Sequence, residues 1–397
     1  MPPDRVSARA IRRLAVARRL SRAARWTAVA CLVLVSAARV AAAGSIPYAP
    51  ALARCYAAIL DARFDDAEAE IAKACGPAPP ETCALMRANA LWWQIQMNPN
   101  DRSRDQAFGA QIDRVIDQVA QWTAREPKRA DAWFFLGAAY GLRVQFRVLR
   151  TERLAAARDG KRIKESLEQA LALDPQLQDA YFGIGLYHYY AGIAPALFKF
   201  LRWLLALPGG DRAQGLQEMW RARDRGELLR GEADYQLQLI DLWYEHKTDE
   251  ALTLLAGLRT AYPRNPLFLQ SIAEVQEVYR HDHEASLETW RTLYELARDR
   301  RVAFPEMSEV RARMGMAAEL QTLGKTDAAI EQLKAVVAAK PSAPYGATAL
   351  AGLRLGAAYD RAGQRDRALD AYRAAIAAAP PDDPDNVRAR AREAMRR

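Results

Sequence analysis

The feature that most constrains this chain is a short pattern of small, aromatic and proline positions that recurs along most of its length. Its clearest copy, residues 352–380, reads GLRLGAAYDRAGQRDRALDAYRAAIAAAP. Apolar residues recur there at helical spacing in two segments, separated by a polar turn at Gly363, which predicts two antiparallel helices. Pro380 closes the second segment because proline cannot continue a helix. Such a unit has an apolar face that only a neighbouring unit can cover.

This copy resembles a tetratricopeptide repeat at every diagnostic position except the first, where Gly352 stands in place of an aromatic residue. The resemblance implies that the two helices cross closely at the small residues Gly356 and Ala368. It also implies that Tyr359 and Tyr372 fill the space towards the next repeat. The matching positions are Leu355, Gly356, Tyr359, Gly363, Ala368, Tyr372, Ala375 and Pro380.

Six looser copies precede this one, so the resemblance covers about residues 48–382. Copies in series predict an all-α, right-handed superhelical solenoid of helix-turn-helix repeats. We expect degenerate helical repeats over 44–127, regular repeats over 128–382 and a charged capping helix at 383–397. The upstream copies are recognised at Phe64, Trp133, Tyr181, Tyr235, Phe268 and Met316.

Residues 1–43 have the composition of an export signal. They hold nine arginines, eight of them ahead of an apolar run of 13 residues (26–38), and one acidic residue; the small residues Ala41–Ala43 come last. The run is shorter than the ~20 residues that cross a bilayer as a helix. We expect cleavage before Gly44 and a periplasmic or cell-envelope location; an uncleaved anchor is the alternative. Because the leader carries nearly all of the net charge of +9, the rest of the chain is almost neutral and has no positive electrostatic field to attract nucleic acid.

Export also changes what the cysteines predict. Cys55, Cys75 and Cys83 remain after the leader, an odd number that suggests one disulfide and one buried thiol in an oxidising compartment. Cys75 and Cys83 flank the turn GPAPPET between two expected helices, so a bridge there would tie the turn. Three unpaired, buried cysteines are the alternative.

Two insertions interrupt the repeats. About 14 extra residues between Tyr140 and Ile163 predict a lengthened first helix. Residues 193–210 form the second insertion, whose apolar core of 12 residues (196–207) is too short to span a bilayer. This segment is interpreted as an extra helix packed on the solenoid, as a lid over a ligand groove, or as a peripheral membrane contact.

The sequence contains no catalytic motif, phosphate loop or zinc pattern. His281 and His283 share a turn without a visible third ligand, and His188 lies between two tyrosines in an expected helix. We therefore expect a protein that is not an enzyme and that uses no cofactor or metal.

Aromatic residues concentrate at the inner positions of two consecutive first helices, beside the apolar insertion. Rigid aromatic side chains bury a large area at low entropic cost, as binding anchors do. The sequence therefore predicts a protein-interaction scaffold with a protein or peptide partner in an aromatic concave groove. The alternative function is a small-ligand or lipid-binding carrier whose groove is closed by residues 193–210. In another interpretation, the aromatic residues bind no partner and form the floor on which the inserted segment packs. The predicted groove residues are Phe182, Tyr189, Tyr190, Trp243 and Tyr244.

Overall fold

A computed structural model of the chain describes residues 46–193 and 209–396, and these residues form seventeen α-helices and no strand. No helix in these ranges is long and apolar enough to cross a membrane. In chain order the helices are α1 (Ala49–Leu60), α2 (Phe64–Ala74), α3 (Pro80–Met97), α4 (Asp105–Arg125), α5 (Ala130–Leu149), α6 (Arg153–Leu173), α7 (Ala180–Ile193), α8 (Arg212–Arg225), α9 (Arg230–Trp243), α10 (Thr248–Ala261), α11 (Pro266–Val278), α12 (His283–Arg298), α13 (Pro305–Thr322), α14 (Thr326–Ala339), α15 (Ala347–Arg361), α16 (Arg365–Ala378) and α17 (Val387–Arg396).

The helices pack in consecutive pairs, from α1 with α2 to α15 with α16, and α17 covers the last pair. First helices of neighbouring pairs also contact one another, for example α11 with α13 and α13 with α15, whereas second helices approach each other less closely. The first helices therefore form the inner face of the stack. This arrangement confirms the predicted all-α, tetratricopeptide-like stack of helix pairs.

Small residues set the distance between the helices of a pair. A Cβ atom at Gly356 would lie 2.5 Å from the ring of Tyr372, so only glycine lets α15 and α16 approach this closely. Ala368, the small residue on the facing helix, is fully buried. The packing that the repeat implies at these positions is thus present in the last pair.

The insertion between Tyr140 and Ile163 lengthens both helices of its pair rather than the first alone. Helix α5 has 20 residues and α6 has 21, and only three residues separate them. The buried carboxylate of Asp159 on α6 accepts hydrogen bonds at 2.8 Å from Arg143 on α5 and also pairs with Arg147. Because burial makes an unpaired carboxylate costly, these arginines hold the long pair together.

First helices of the early pairs pack directly against first helices of later pairs. Trp93 on α3 is fully buried, and its ring centroid lies 5.2 Å from that of Tyr235 on α9 and 6.4 Å from that of Phe268 on α11. One apolar core joins residues 46–142 to residues 228–307. The inner face of these pairs is therefore a packed interior.

Polar side chains reinforce this contact between distant parts of the chain. The hydroxyl of Tyr56 on α1 donates to Glu232 on α9 at 2.7 Å, and the amide of Gln145 on α5 donates to the other oxygen of Glu232 at 3.3 Å. Asn265 donates to the carbonyl oxygen of Leu60 at 2.7 Å, in a buried contact. Since buried polar groups require partners, these bonds fix how the inner faces meet.

The predicted export signal lies outside the described residues, as do residues 194–208 of the second insertion. The chain resumes at Gly209, and Asp211 caps the next helix by accepting a hydrogen bond from the backbone nitrogen of Gln214 at 2.8 Å. At the other end, α17 begins at Val387, where Asp383 accepts from the backbone nitrogens of Val387 and Arg388.

Candidate functional site

Three of the predicted aromatic residues lie together on the surface of the fourth and fifth helix pairs. Tyr190 belongs to the last turn of α7, and Trp243 and Tyr244 lie at the end of α9. The rings of Tyr190 and Tyr244 meet edge to face, with centroids 5.7 Å apart. Their exposed fractions are 38% for Tyr190, 54% for Trp243 and 43% for Tyr244. We call these three residues the aromatic edge.

The other two predicted residues, Phe182 and Tyr189, are buried beneath the surface. The ring of Tyr189 lies 5.4 Å from that of Tyr190 and 6.1 Å from that of Tyr244, in each case edge to face. Tyr189 therefore supports the exposed rings from below. The structure thus brings Tyr189, Tyr190 and Tyr244 into one cluster of ring contacts, leaves Trp243 exposed next to Tyr244, and places Phe182 in the apolar core beneath.

A polar network fixes the backbone that carries the aromatic edge. The hydroxyl of Tyr189 donates to Glu245, and the guanidinium of Arg212 binds the same carboxylate, with its Nε donating at 2.8 Å. Hydrogen bonding from Arg212 lowers the pKa of Glu245, while burial and the nearby carboxylate raise the pKa of Tyr189. Glu245 thus remains an anion that ties α7 and α8 to the turn after α9.

The aromatic edge lies where first helices end, not within an open concave groove. In the described residues, the inner face next to α9 is occupied by α1, α3 and α5 of the same chain. The groove expected from the sequence assumes that inner positions face solvent. Here Ile240, at such a position on α9, is fully buried, and Gln236 donates to Glu232 within the interior.

Four further exposed residues share this location and were not singled out from the sequence. Val148 and Leu154 flank the turn between α5 and α6, and Val278 and Tyr279 end α11. All four therefore lie at turns between the first and second helix of a pair, as the aromatic edge does. A sequence signal exists, because large apolar residues recur at the last positions of successive first helices, where exposure is expected.

The cysteine and histidine residues occupy other places. The sulfur atoms of Cys75 and Cys83 are 2.14 Å apart, in a disulfide, and Cys55 is a buried free thiol. His188 pairs with Glu218 at 2.7 Å and His283 with Glu319 at 2.8 Å.

Two surface clefts lie away from the aromatic edge, and the described residues place no metal centre there. Within residues 46–193 and 209–396, no group of three His, Cys, Asp or Glu residues is placed to hold a metal ion. A cleft of about 530 Å³ lies between the α1–α2 turn and the loop before α13, and another of about 340 Å³ lies beside Trp122. Neither cleft includes a residue of the aromatic edge in its lining.

Comparisons with known proteins give distant structural similarity only. No protein-family model matches the chain, and no curated protein matches it. Among solved structures, the APC/C hetero-tetramer Cut9–Hcn1 has 12% identity and a TM-score of 0.40, and covers 84% of this chain. A Rap protein complexed with competence and sporulation factor has 15% identity and a TM-score of 0.40, and also covers 84%. Yeast Tom70 has 14% identity and a TM-score of 0.38, and covers 87%.

The matched region corresponds to 58% of the Cut9–Hcn1 chain, 77% of the Rap chain and 81% of the Tom70 chain, so this chain spans little more than half the length of the first. The fold described above depends on the helix packing within this chain, not on these similarities.

Proposed function

We propose that this protein is a non-catalytic protein-interaction scaffold of the periplasm or cell envelope, with its partner docking on the aromatic edge. The observation that carries the proposal is the exposure of three aromatic side chains, two of which, Tyr190 and Tyr244, are in edge-to-face contact above a fixed support. Tyrosine and tryptophan dominate the energetics of protein interfaces, because they bury much area and lose little side-chain entropy. The Tyr189–Glu245–Arg212 network holds the supporting backbone in place before a partner arrives.

Packing of the inner face explains why the partner docks at the edge. An inner face that is filled by the chain's own first helices has no room for a peptide. The turns between first and second helices remain accessible and carry the exposed aromatic side chains. The carrier alternative requires an enclosed apolar volume at the aromatic edge, whereas the three side chains of that edge are exposed to solvent.

Site-specific photo-cross-linking in cells tests this proposal. A photoreactive phenylalanine derivative in place of Trp243 should give a protein adduct, and alanine at Tyr190 and Tyr244 should reduce its yield at least tenfold. The matched control replaces Tyr48, a tyrosine with 46% exposure at a different surface, and should give no such adduct. Equal adducts from both positions, or adducts with lipid alone, would contradict the proposal.

The proposed location has its own test. The leader of nine arginines, an apolar run and a small-residue site supports export and cleavage. We expect the protein in the periplasmic or envelope fraction, with Gly44 as its first residue by amino-terminal sequencing. An intact leader on protein in the cytoplasmic fraction would reject this part of the proposal.

A further inference from the structure

The larger of the two clefts forms where distant parts of the chain meet. Its walls are the α1–α2 turn with the first residues of α2, the α10–α11 turn, and the loop that leads from α12 into α13. Its volume of about 530 Å³ is within the range of about 300 to 1,000 Å³ that is usual for small-ligand sites. We call it the junction cleft.

Backbone hydrogen bonds fix the walls of the junction cleft relative to one another. The backbone nitrogen of Arg264, in the α10–α11 turn, donates to the buried carboxylate of Asp61 at 2.8 Å. The backbone nitrogen of Ala303, in the α12–α13 loop, donates to the carbonyl oxygen of Arg264 at 2.8 Å. The three walls are therefore joined to one another, and the cleft exists before a ligand arrives.

An aromatic wall borders the junction cleft on one side. The rings of Phe64, at the start of α2, and Phe304, before α13, have centroids 6.0 Å apart. Phe304 is 37% exposed, and Pro305 lines the cleft next to it. This wall can bury the apolar part of a ligand.

Three of the five charged side chains that line the junction cleft are engaged in ion pairs. Arg63 binds Asp66 at 2.7 Å, and both residues line the cleft. Arg300 binds Glu306 at 3.0 Å. These charges compensate one another, so they do not select a ligand.

The other two charged side chains, Asp65 and Arg264, are of opposite sign and are exposed in the cleft. Neither side chain makes a hydrogen bond or an ion pair with any residue that the structure describes, and the same is true of the Gln94 amide on α3. The cleft therefore presents one cation, one anion and one amide that are free to bind a ligand.

We infer that the junction cleft binds a zwitterion with an apolar side chain, which is an apolar α-amino acid or a short peptide of such residues. The carboxylate of the ligand binds the guanidinium of Arg264, and its ammonium group binds the carboxylate of Asp65. Its side chain packs on Phe64 and Phe304. A simple anion fits less well because it would leave the Asp65 carboxylate without a partner.

This site is separate from the aromatic edge, so the inference does not rest on the proposed docking of a protein partner. No residue of the aromatic edge lines the junction cleft. The Trp243 cross-link and ligand binding in the cleft are therefore independent observations, and either one can fail without the other.

Ligand-observed NMR titration of the purified protein is the first test, because it measures millimolar dissociation constants. We expect L-phenylalanine or L-phenylalanyl-L-phenylalanine to bind with a dissociation constant of about 1 mM or lower. The tighter of the two probes shows whether the cleft takes an amino acid or a dipeptide. N-acetyl-L-phenylalanine lacks the ammonium group and L-phenylalaninamide lacks the carboxylate, so each should bind about tenfold more weakly than phenylalanine.

The second test crosses these probes with variants of the two charged residues. Arg264→Gln should weaken phenylalanine binding about tenfold and leave phenylalaninamide binding unchanged, because the amide has no carboxylate for Arg264. Asp65→Asn should weaken phenylalanine binding by a similar factor and leave binding of the N-acetyl derivative unchanged. Both side chains are exposed, so the helical circular dichroism should not change.

Matched controls remove the same charges elsewhere. Arg291→Gln and Asp370→Asn replace exposed residues that do not line the cleft, and they should leave the dissociation constant of phenylalanine unchanged. The aromatic wall is tested by selectivity: the parent should bind phenylalanine about tenfold more tightly than alanine, and Phe304→Ala should remove most of that preference.

Three results would overturn the inference. They are no binding of either zwitterion up to about 10 mM, equal binding of phenylalanine and its two derivatives, and an affinity for phenylalanine that Arg264→Gln and Asp65→Asn leave unchanged. Tight binding of the N-acetyl derivative would reject the zwitterion in favour of a simple anion. In each case a protein adduct at Trp243 would leave the proposed function standing.

Discussion

Asp241 is a buried carboxylic acid close to the aromatic edge, with one oxygen that has no hydrogen-bond partner. Only 3% of the residue is exposed, and burial raises its pKa from 3.8 to about 6. Lys247 opposes this shift, while Glu250 and Glu245 add to it. The folded protein thus binds the proton more tightly than the unfolded chain, and the charged form at neutral pH opposes folding.

We predict that Asp241→Asn stabilises the protein at neutral pH. Because the folded-state pKa is raised, the stability of the parent falls as pH rises from about 4 to about 6, and the variant lacks this loss. The free energy of unfolding should increase by about 1 to 3 kcal/mol at pH 7.5, and the gain should vanish near pH 4. Urea unfolding of the parent and the variant at pH 7.5 and near pH 4 measures the difference in unfolding free energy at each pH.

Asp249→Asn is the control for the Asp241 prediction. Asp249 is exposed and pairs with Arg280 at the surface, so its substitution should change the free energy of unfolding by less than about 0.5 kcal/mol at either pH. An Asp241→Asn variant that is less stable than the parent at pH 7.5 would show that the carboxylate stabilises the fold.

At the scale of elements, the start of α9 is held by a residue from the start of α7. Asp179 is buried, and one carboxylate oxygen accepts from the backbone nitrogen of Glu227 at 2.7 Å. The other oxygen accepts from Leu228 at 3.0 Å and from Leu229 at 2.8 Å. These nitrogens would otherwise lack partners ahead of the helix, so Asp179 sets the position of α9 and its aromatic end.

We predict that Asp179→Ala destabilises the protein by about 2 to 4 kcal/mol, because three backbone donors, that of Leu228 in a buried bond, lose a charged acceptor. Asp211→Ala removes an exposed helix cap with a single bond to Gln214 and should cost only about 1 kcal/mol. Thermal or urea unfolding of both variants gives the comparison. If the two variants lost equal amounts of unfolding free energy, Asp179 would not anchor α9.

The helix pairs could be predicted from the sequence because their signals are local. Pro380 follows the end of α16, Pro305 opens α13, and the small Gly356 permits close helix crossing. The tyrosines and tryptophan of the aromatic edge could be named for the same reason, since they recur at matching positions of neighbouring repeats. Which of the predicted aromatic residues are exposed and which, like Tyr189, are buried could not be predicted, because burial depends on contacts between helices such as the network around Glu245.

At the scale of the whole molecule, the closed inner face could not be predicted from the repeat. It results from contacts between residues far apart in the sequence, such as Tyr56 with Glu232 and Leu60 with Asn265. No periodicity encodes which repeats meet across the interior. A filled inner face is the reason that we propose the aromatic edge, not a concave groove, as the docking surface.

A double-mutant cycle between Tyr56 and Glu232 tests this central claim most directly. The two residues are 176 positions apart and share a buried 2.7 Å hydrogen bond only if the early and late first helices pack together. Unfolding free energies of Tyr56→Phe, Glu232→Ala and the double variant should give a coupling energy of about 1 to 2 kcal/mol, because each single change removes one partner of the bond. A coupling energy within about 0.3 kcal/mol of zero would contradict the closed inner face, and the concave groove predicted from the sequence would again be the candidate binding site.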